Sequence, residues 1–138
     1  MKDNKTIKRA IVKGLSNKDL SIFGNYYSED YVLHTAGFGD VKGSANLREL
    51  FCRVLTGLSN VSFKLNDMLA ESEKVASRWT ITGTHTSLFL GAAPTNKLIT
   101  ISGMVIDRFR NERAIESWQV IDMKSLEAQL GINLSKKL

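Results

Sequence analysis

Apolar residues recur at two different spacings along this chain, and the change between them divides it. Early on, Ile7, Ala10, Ile11 and Leu15 return every three or four positions, as on a helix with one covered face. Ser16-Asn17-Lys18-Asp19 then has the outline of a capping box, with aspartate replacing the usual Glu or Gln. It predicts a short second helix carrying Leu20, Ile22 and Phe23. Residues 26–40, YYSEDYVLHTAGFGD, read as loop with a short extended piece. A third helix is expected from about Ser44, with Leu47, Leu50, Phe51, Val54, Leu55 and Leu58 as its apolar stripe.

From Val61 the period becomes two. Val61, Phe63 and Leu65 alternate with Ser62, Lys64 and Asn66, and further strands are expected over 74–87, 97–110 and 113–123. Asn111-Glu112 is short enough to make the last two strands antiparallel neighbours. SLFLGAAPTN, with the only proline, is a long inter-strand loop, and Ser125–Leu130 reads as a closing helix stopped by Gly131. Helices followed by a run of strands indicate an α+β domain with helices packed on one side of a curved, mostly antiparallel sheet. No repeat or linker interrupts the chain, so one domain over 1–138 is expected.

Composition narrows the class. At 138 residues the chain is long enough to bury a core and still hold a pocket. The single cysteine, Cys52, excludes an intramolecular disulfide and sits among Leu50, Phe51, Val54 and Leu55, as a core-facing thiol would. The formal charge of +5 is spread over a helix face and the tail, without stacking aromatics between the basic residues, which argues against a nucleic-acid partner. No apolar run approaches the ~20 residues of a membrane span, and the N-terminus has no signal-peptide core; the expected location is cytoplasmic. Two histidines and one cysteine provide no metal-ligand spacing.

Candidate chemistry gathers in ESWQVID, residues 116–122. Alternation puts Glu116, Trp118, Val120 and Asp122 on one strand face and Ser117, Gln119 and Ile121 on the other. Taken as the inward face, the first set places a carboxylate in apolar surroundings, where desolvation turns it into a usable acid or base. The plainer alternative is a strand-end aspartate that caps the final helix or pairs with Arg108. Arg78 and Arg108 have a structural alternative too, as ion-pair partners of Glu116, and His85 as a hydrogen-bond partner of the loop after it. Arg78 and His85 differ in parity, so lining one cavity together would require a bulge, for which Gly83 is the candidate.

Gly83-Thr84-His85-Thr86, Gly91-x-x-Pro94-Thr95, Arg108, Glu116-x-Trp118-x-x-x-Asp122 and Gln129-Leu130-Gly131, in that order, resemble the SnoaL-like polyketide cyclase family. The upstream YVLHTAGFGDVKGSANLREL resembles that family's segment leading into its third helix, so the similarity runs from about residue 20 to 131. It implies the cone of the nuclear-transport-factor-2-like (NTF2-like) superfamily: helices on a strongly bent sheet around a pocket, often dimeric through the outer sheet face. It also implies ring closure by intramolecular aldol chemistry on a polyketide-type ester, without metal or cofactor. Asp122 matches the family's acid/base, and His34 a pocket histidine. Arg108 stands where an authentic cyclase has histidine, and Asn96 where glycine usually follows Pro-Thr. The implied site is therefore Asp122 as catalyst, with His34, Arg78, His85, Arg108 and Trp118 binding a small hydrophobic ligand. A dimer is expected through Ile99, Ile101, Val105 and Phe109. The alternatives are a non-catalytic binding module for a small apolar acid or ester, or an isomerase or hydrolase of the same superfamily; an isomerase would draw its donor from Tyr26, Tyr27 or Tyr31.

Overall fold

The computed structural model describes residues 2–134. In chain order the elements are α1 (Asn4–Ser16), α2 (Ile22–Asn25), β1 (Tyr27–Thr35), β2 (Gly39–Lys42), α3 (Ser44–Gly57), β3 (Leu58–Glu71), β4 (Lys74–His85), β5 (Leu98–Arg110), β6 (Arg113–Ile121) and α4 (Met123–Leu130). The six strands form one curled mixed sheet in the order β2-β1-β6-β5-β4-β3. Every neighbouring pair is antiparallel except β1 with β6.

Local chemistry explains the boundaries. The Asp3 side chain accepts the Thr6 N–H and starts α1. Asn111 and Glu112 both adopt positive φ, 52° and 64°, the two-residue turn whose twist suits a hairpin, so β5 returns directly as β6. Gly131 ends α4 in the left-handed conformation. The second helix is a single turn, and Asp19 spends its carboxylate on the Ser21 N–H and hydroxyl just before it. Residues 27–35, expected as mostly loop, form a nine-residue strand. Tyr27, Tyr31 and Leu33 share its inward parity, but the alternation is broken at Glu29, which has the same parity and is exposed where the register with β6 shifts between Tyr27 and Val32.

Helices and sheet meet over two cores. The first joins Ile7 and Ile11 of α1, Ile22, Phe23, Phe51 of α3, and Tyr27, Tyr31, Leu33, Val75, Phe109 and Ala114 of the sheet. The second joins Leu58, Phe89, Ala92, Ile99 and Ile101 with Leu126 and Leu130 of α4 and Leu134. On β5 the buried residues are therefore Ile99, Ile101, Gly103, Val105, Asp107 and Phe109, and the residues between them face away from the helices.

This parity inverts one sequence expectation. Met104, Ile106, Arg108, Trp118 and Val120 lie on the outer, solvent side, while Ser117, Gln119 and Ile121 point inward. The dimer face expected from Ile99, Ile101, Val105 and Phe109 is corrected by the same fact, since all four are buried beneath the helices. Both faces of β5 are partly apolar, so alternation alone could not choose between them. No helix among the described residues is long and apolar enough to cross a membrane.

Candidate functional site

The inner face of the sheet is covered at both ends and less so between. Two register rows cross this middle: Thr35–Gln119–Val105–Ser77–Met68, and Ile121–Gly103–Trp79–Leu65. Thr35, Gln119, Met68, Ile121, Trp79 and Leu65 are only half-buried. Val105 is buried yet belongs to neither core. Opposite, α3 offers the half-buried Leu47, Leu50 and Val54. The middle of the inner face, opposite α3, is thus lined by half-buried, mostly apolar side chains. Gly103 gives the Trp79 ring room against the β5 backbone, where any Cβ at residue 103 would collide with it.

Where α1 packs on the inner face sits a buried polar cluster not anticipated from sequence. Asp107 is nearly fully buried, receives the Ser117 hydroxyl at 2.5 Å, and pairs with Lys8 of α1 at 2.6 Å. Tyr31 stands beside Ser117 and Asp107; burial, and then the Asp107 charge, push its hydroxyl well above the ordinary tyrosine range. Burial, and then Tyr31 and Asp107, do the same to Tyr27. One row away, Ser77 is buried and its Oγ has no hydrogen-bond partner. A signal for this cluster existed: Asp107 shares parity with Ile99, Ile101, Val105 and Phe109, and a carboxylate in so apolar a series is costly unless partnered.

The sequence-derived residues fall in three places. His34, Arg108 and Trp118 come together on the outer face. His34 Nδ1 lies 2.8 Å from Asp40 and Nε2 2.7 Å from Glu116, its ring stacks on Trp118, and Lys74 sits over the indole at 5.7 Å. Glu116 first and Asp40 second raise the pKa of His34. Arg108 pairs with Glu73 and Arg78 with Asp67, rather than with Glu116, although Arg108 is the register partner of Glu116. Arg78 is also on the outer face, and β4 runs unbroken against β5 with no bulge at Gly83.

His85 instead points inward and is completely buried. Its Nδ1 accepts the Thr95 backbone N–H at 3.2 Å, with the Thr95 hydroxyl at 3.0 Å, so the loop carrying Pro94 and Thr95 is tied to the strand end. That accepted N–H assigns the proton to Nε2, which meets no partner. Asp122, expected deep in the pocket, is exposed beyond the end of β6, and its Oδ1 accepts the Ser125 N–H at 3.1 Å as the N-cap of α4. It lies four positions beyond Trp118 along the chain, roughly 13 Å in extended backbone.

Two shallow hollows flank Trp118 on the outer side. One of about 970 Å³ is lined by Leu69, Glu73, Lys74, Ile106 and Arg108. The other, about 500 Å³, is lined by His34, Ala36, Met104 and Val120.

Helices packed on a curled six-stranded mixed sheet define a cone-shaped α+β fold. The SnoaL-like polyketide cyclase family model matches residues 5–130, and the chain belongs to that family. Among solved structures it is similar to AclR from Streptomyces galilaeus, at 28% identity over 92% of this chain and 94% of that one, with a TM-score of 0.81. TsrD from Streptomyces laurentii shares the fold at 17% identity, covering 96% and 100%, with a TM-score of 0.83. So does a SnoaL-like polyketide cyclase from Agrobacterium tumefaciens, at 17% identity, 95% and 100% coverage, and a TM-score of 0.79. No curated protein matches the sequence.

Proposed function

We propose that this protein binds a small, largely apolar polyketide-type ketone or ester between α3 and the concave sheet and closes a ring in it by intramolecular aldol reaction. The observation that carries this reading is the half-buried middle of the inner face, where Trp79, Leu65 and Ile121 lie among a few polar groups. A carbon flanked by two carbonyls is already acidic, and its enolate is already delocalised. The protein then has chiefly to hold the chain folded with the enolate carbon near the receiving carbonyl, where orientation supplies much of the rate. Such a step needs a proton acceptor and donor and draws on no cofactor.

The spacing Trp118-x-x-x-Asp122 supports Asp122 as that acceptor, from a position at the rim. A second reading has its own observation. Asp122 is exposed and spends one oxygen on the cap of α4, which favours a binding module without catalysis. Asp122→Asn separates the two, because Asn caps a helix as well as Asp does but is no base. In the cyclase, turnover of a β-keto ester falls by about 10²–10⁴ while binding persists. Turnover unchanged in Asp122→Asn, or absent from both proteins despite binding, removes the catalytic role of Asp122.

We also infer a homodimer through the outer sheet face. The register row Asp40–His34–Trp118–Ile106–Ala76–Leu69 crosses all six strands on that side. Exposure of Leu69 at 77%, Met104 and Val120 at 62%, and Ile106 at 42% leaves a contiguous apolar band. A second copy laid on this face supplies a partner whose rims are already matched in charge, because Glu73, Lys74, Arg108 and Glu116 carry both signs.

A further inference from the structure

His34 carries a carboxylate at each ring nitrogen: Asp40 of β2 lies 2.8 Å from Nδ1, and Glu116 of β6 lies 2.7 Å from Nε2. An ionised carboxylate only accepts, so both contacts are hydrogen bonds only when both nitrogens carry a proton. The arrangement is therefore that of an imidazolium, one cation between two anions. Losing the proton sets a bare ring nitrogen against one carboxylate and doubles the net negative charge of the trio. Among the described residues no other cation takes the proton's place. Lys42 of β2 stands opposite Val32 on the same side, with Asp30 further along β1. Arg108 of β5 is the register partner of Glu116 but pairs with Glu73, which also holds Arg110. Lys74 of β4 sits over the Trp118 ring and makes no ion pair with Asp40 or Glu116.

The trio lies in the outer apolar band, since the His34 ring stacks on Trp118 and the register row through both continues to Ile106. In a free copy the side chains of His34, Asp40 and Glu116 keep 32%, 42% and 32% of their area exposed, and water screens their charges. A second copy laid on the band removes that water, and an uncompensated charge there is costly. We propose that the pairing of two copies through this face is proton-linked at His34: the dimer holds the imidazolium form in both copies and weakens when the rings lose their protons. The linkage rests on the dimer reading above and adds its regulation. Drying the trio favours the form with the smaller net charge, so the dimer binds the proton more tightly than the free copy does. In the free copy Glu116, and then Asp40, already raise the His34 pKa above the ordinary histidine value. The dimer is therefore at full strength below about pH 6.5 and weakens as pH rises through the free-copy value.

Sedimentation equilibrium of the parent, His34→Gln and Asp40→Asn between pH 5.5 and 8.5 tests the linkage. The dissociation constant of the parent dimer is expected to be flat up to about pH 6.5 and to rise by about tenfold or more by pH 8.5, because the penalty counts once in each copy. His34→Gln shows no such rise, and Asp40→Asn, with one carboxylate gone, shows a smaller one. The other histidine, His85, is present in all three proteins, so its titration cancels from the comparison. A parent constant that is equal at both ends of the range, or the same rise in His34→Gln, overturns the linkage and leaves the dimer. A parent that is monomeric at tens of micromolar at both pH 5.5 and pH 8.5 overturns the dimer and the linkage with it.

Discussion

His34 on β1 and Trp118 on β6 are register partners in the one parallel strand pair, and their rings stack 5.8 Å apart on the side of the sheet away from the helices. The stack stands at the centre of the apolar band, with Ile106 as Trp118's partner on β5. If this band joins two copies, the parent protein is a dimer by light scattering at tens of micromolar. Val120→Glu or Ile106→Glu then yields a folded monomer with unchanged far-ultraviolet circular dichroism. A parent that runs as a monomer at that concentration removes the dimer.

The His34 ring also gives the fold a pH dependence. Glu116, and then Asp40, hold the folded-state pKa above the unfolded value, which is about 6.5. A raised pKa means that the folded state binds the proton more tightly. The contribution is therefore fully present below about pH 6.5 and is lost as pH rises through the folded value. Thermal unfolding of the parent between pH 5.5 and 8.5, set against His34→Gln, shows a stability difference that shrinks with rising pH. The imidazole is about a third exposed by side-chain area, 32%, so solvent keeps the effect small.

Asp122→Ala loses a helix cap and destabilises by about 1 kcal/mol, whereas Asp122→Asn leaves the melting temperature where it was. Denaturant titration of the two variants checks the capping role independently of any activity measurement.

Gly103 is a packing requirement of the Trp79 ring. In Gly103→Ala the new methyl meets the Trp79 ring and lies 2.8 Å from the Val120 carbonyl, so either the indole swings away or the strands part. The expected cost is about 1–3 kcal/mol. A shift of the Trp79 indole NMR resonance accompanies it.

The Lys8–Asp107 pair anchors α1 to β5 and is nearly dry, with side-chain exposures of 10% and 5%. Lys8→Met alone strands a buried carboxylate and costs about 3–5 kcal/mol, while Lys8→Met with Asp107→Leu recovers much of the loss. A double-mutant cycle in urea reads the difference. Additive single losses would show that the pair is not coupled.

Sequence by itself determined the elements with a strong period. The stripe Leu47, Leu50, Phe51, Val54 could only be a helix lying on something, the Asn111-Glu112 connection made β5 and β6 neighbours, and Gly131 marked the end of α4. The ordered motifs from Gly83 to Gly131 were enough to recognise the family, because they reflect spacing along one chain. Tertiary structure alone decided which face of the sheet the helices cover. β6 is misleading in isolation, since its inward residues Ser117 and Gln119 are polar and its outward Trp118 and Val120 are apolar. The inner Ser117 is held by its hydrogen bond to Asp107 and the outer Trp118 by its stack on His34, so the usual link between hydrophobicity and burial runs backwards there. The same inversion hid Asp107, whose partners Lys8 and Ser117 lie 99 and 10 positions away and meet it only once α1 has docked on the sheet.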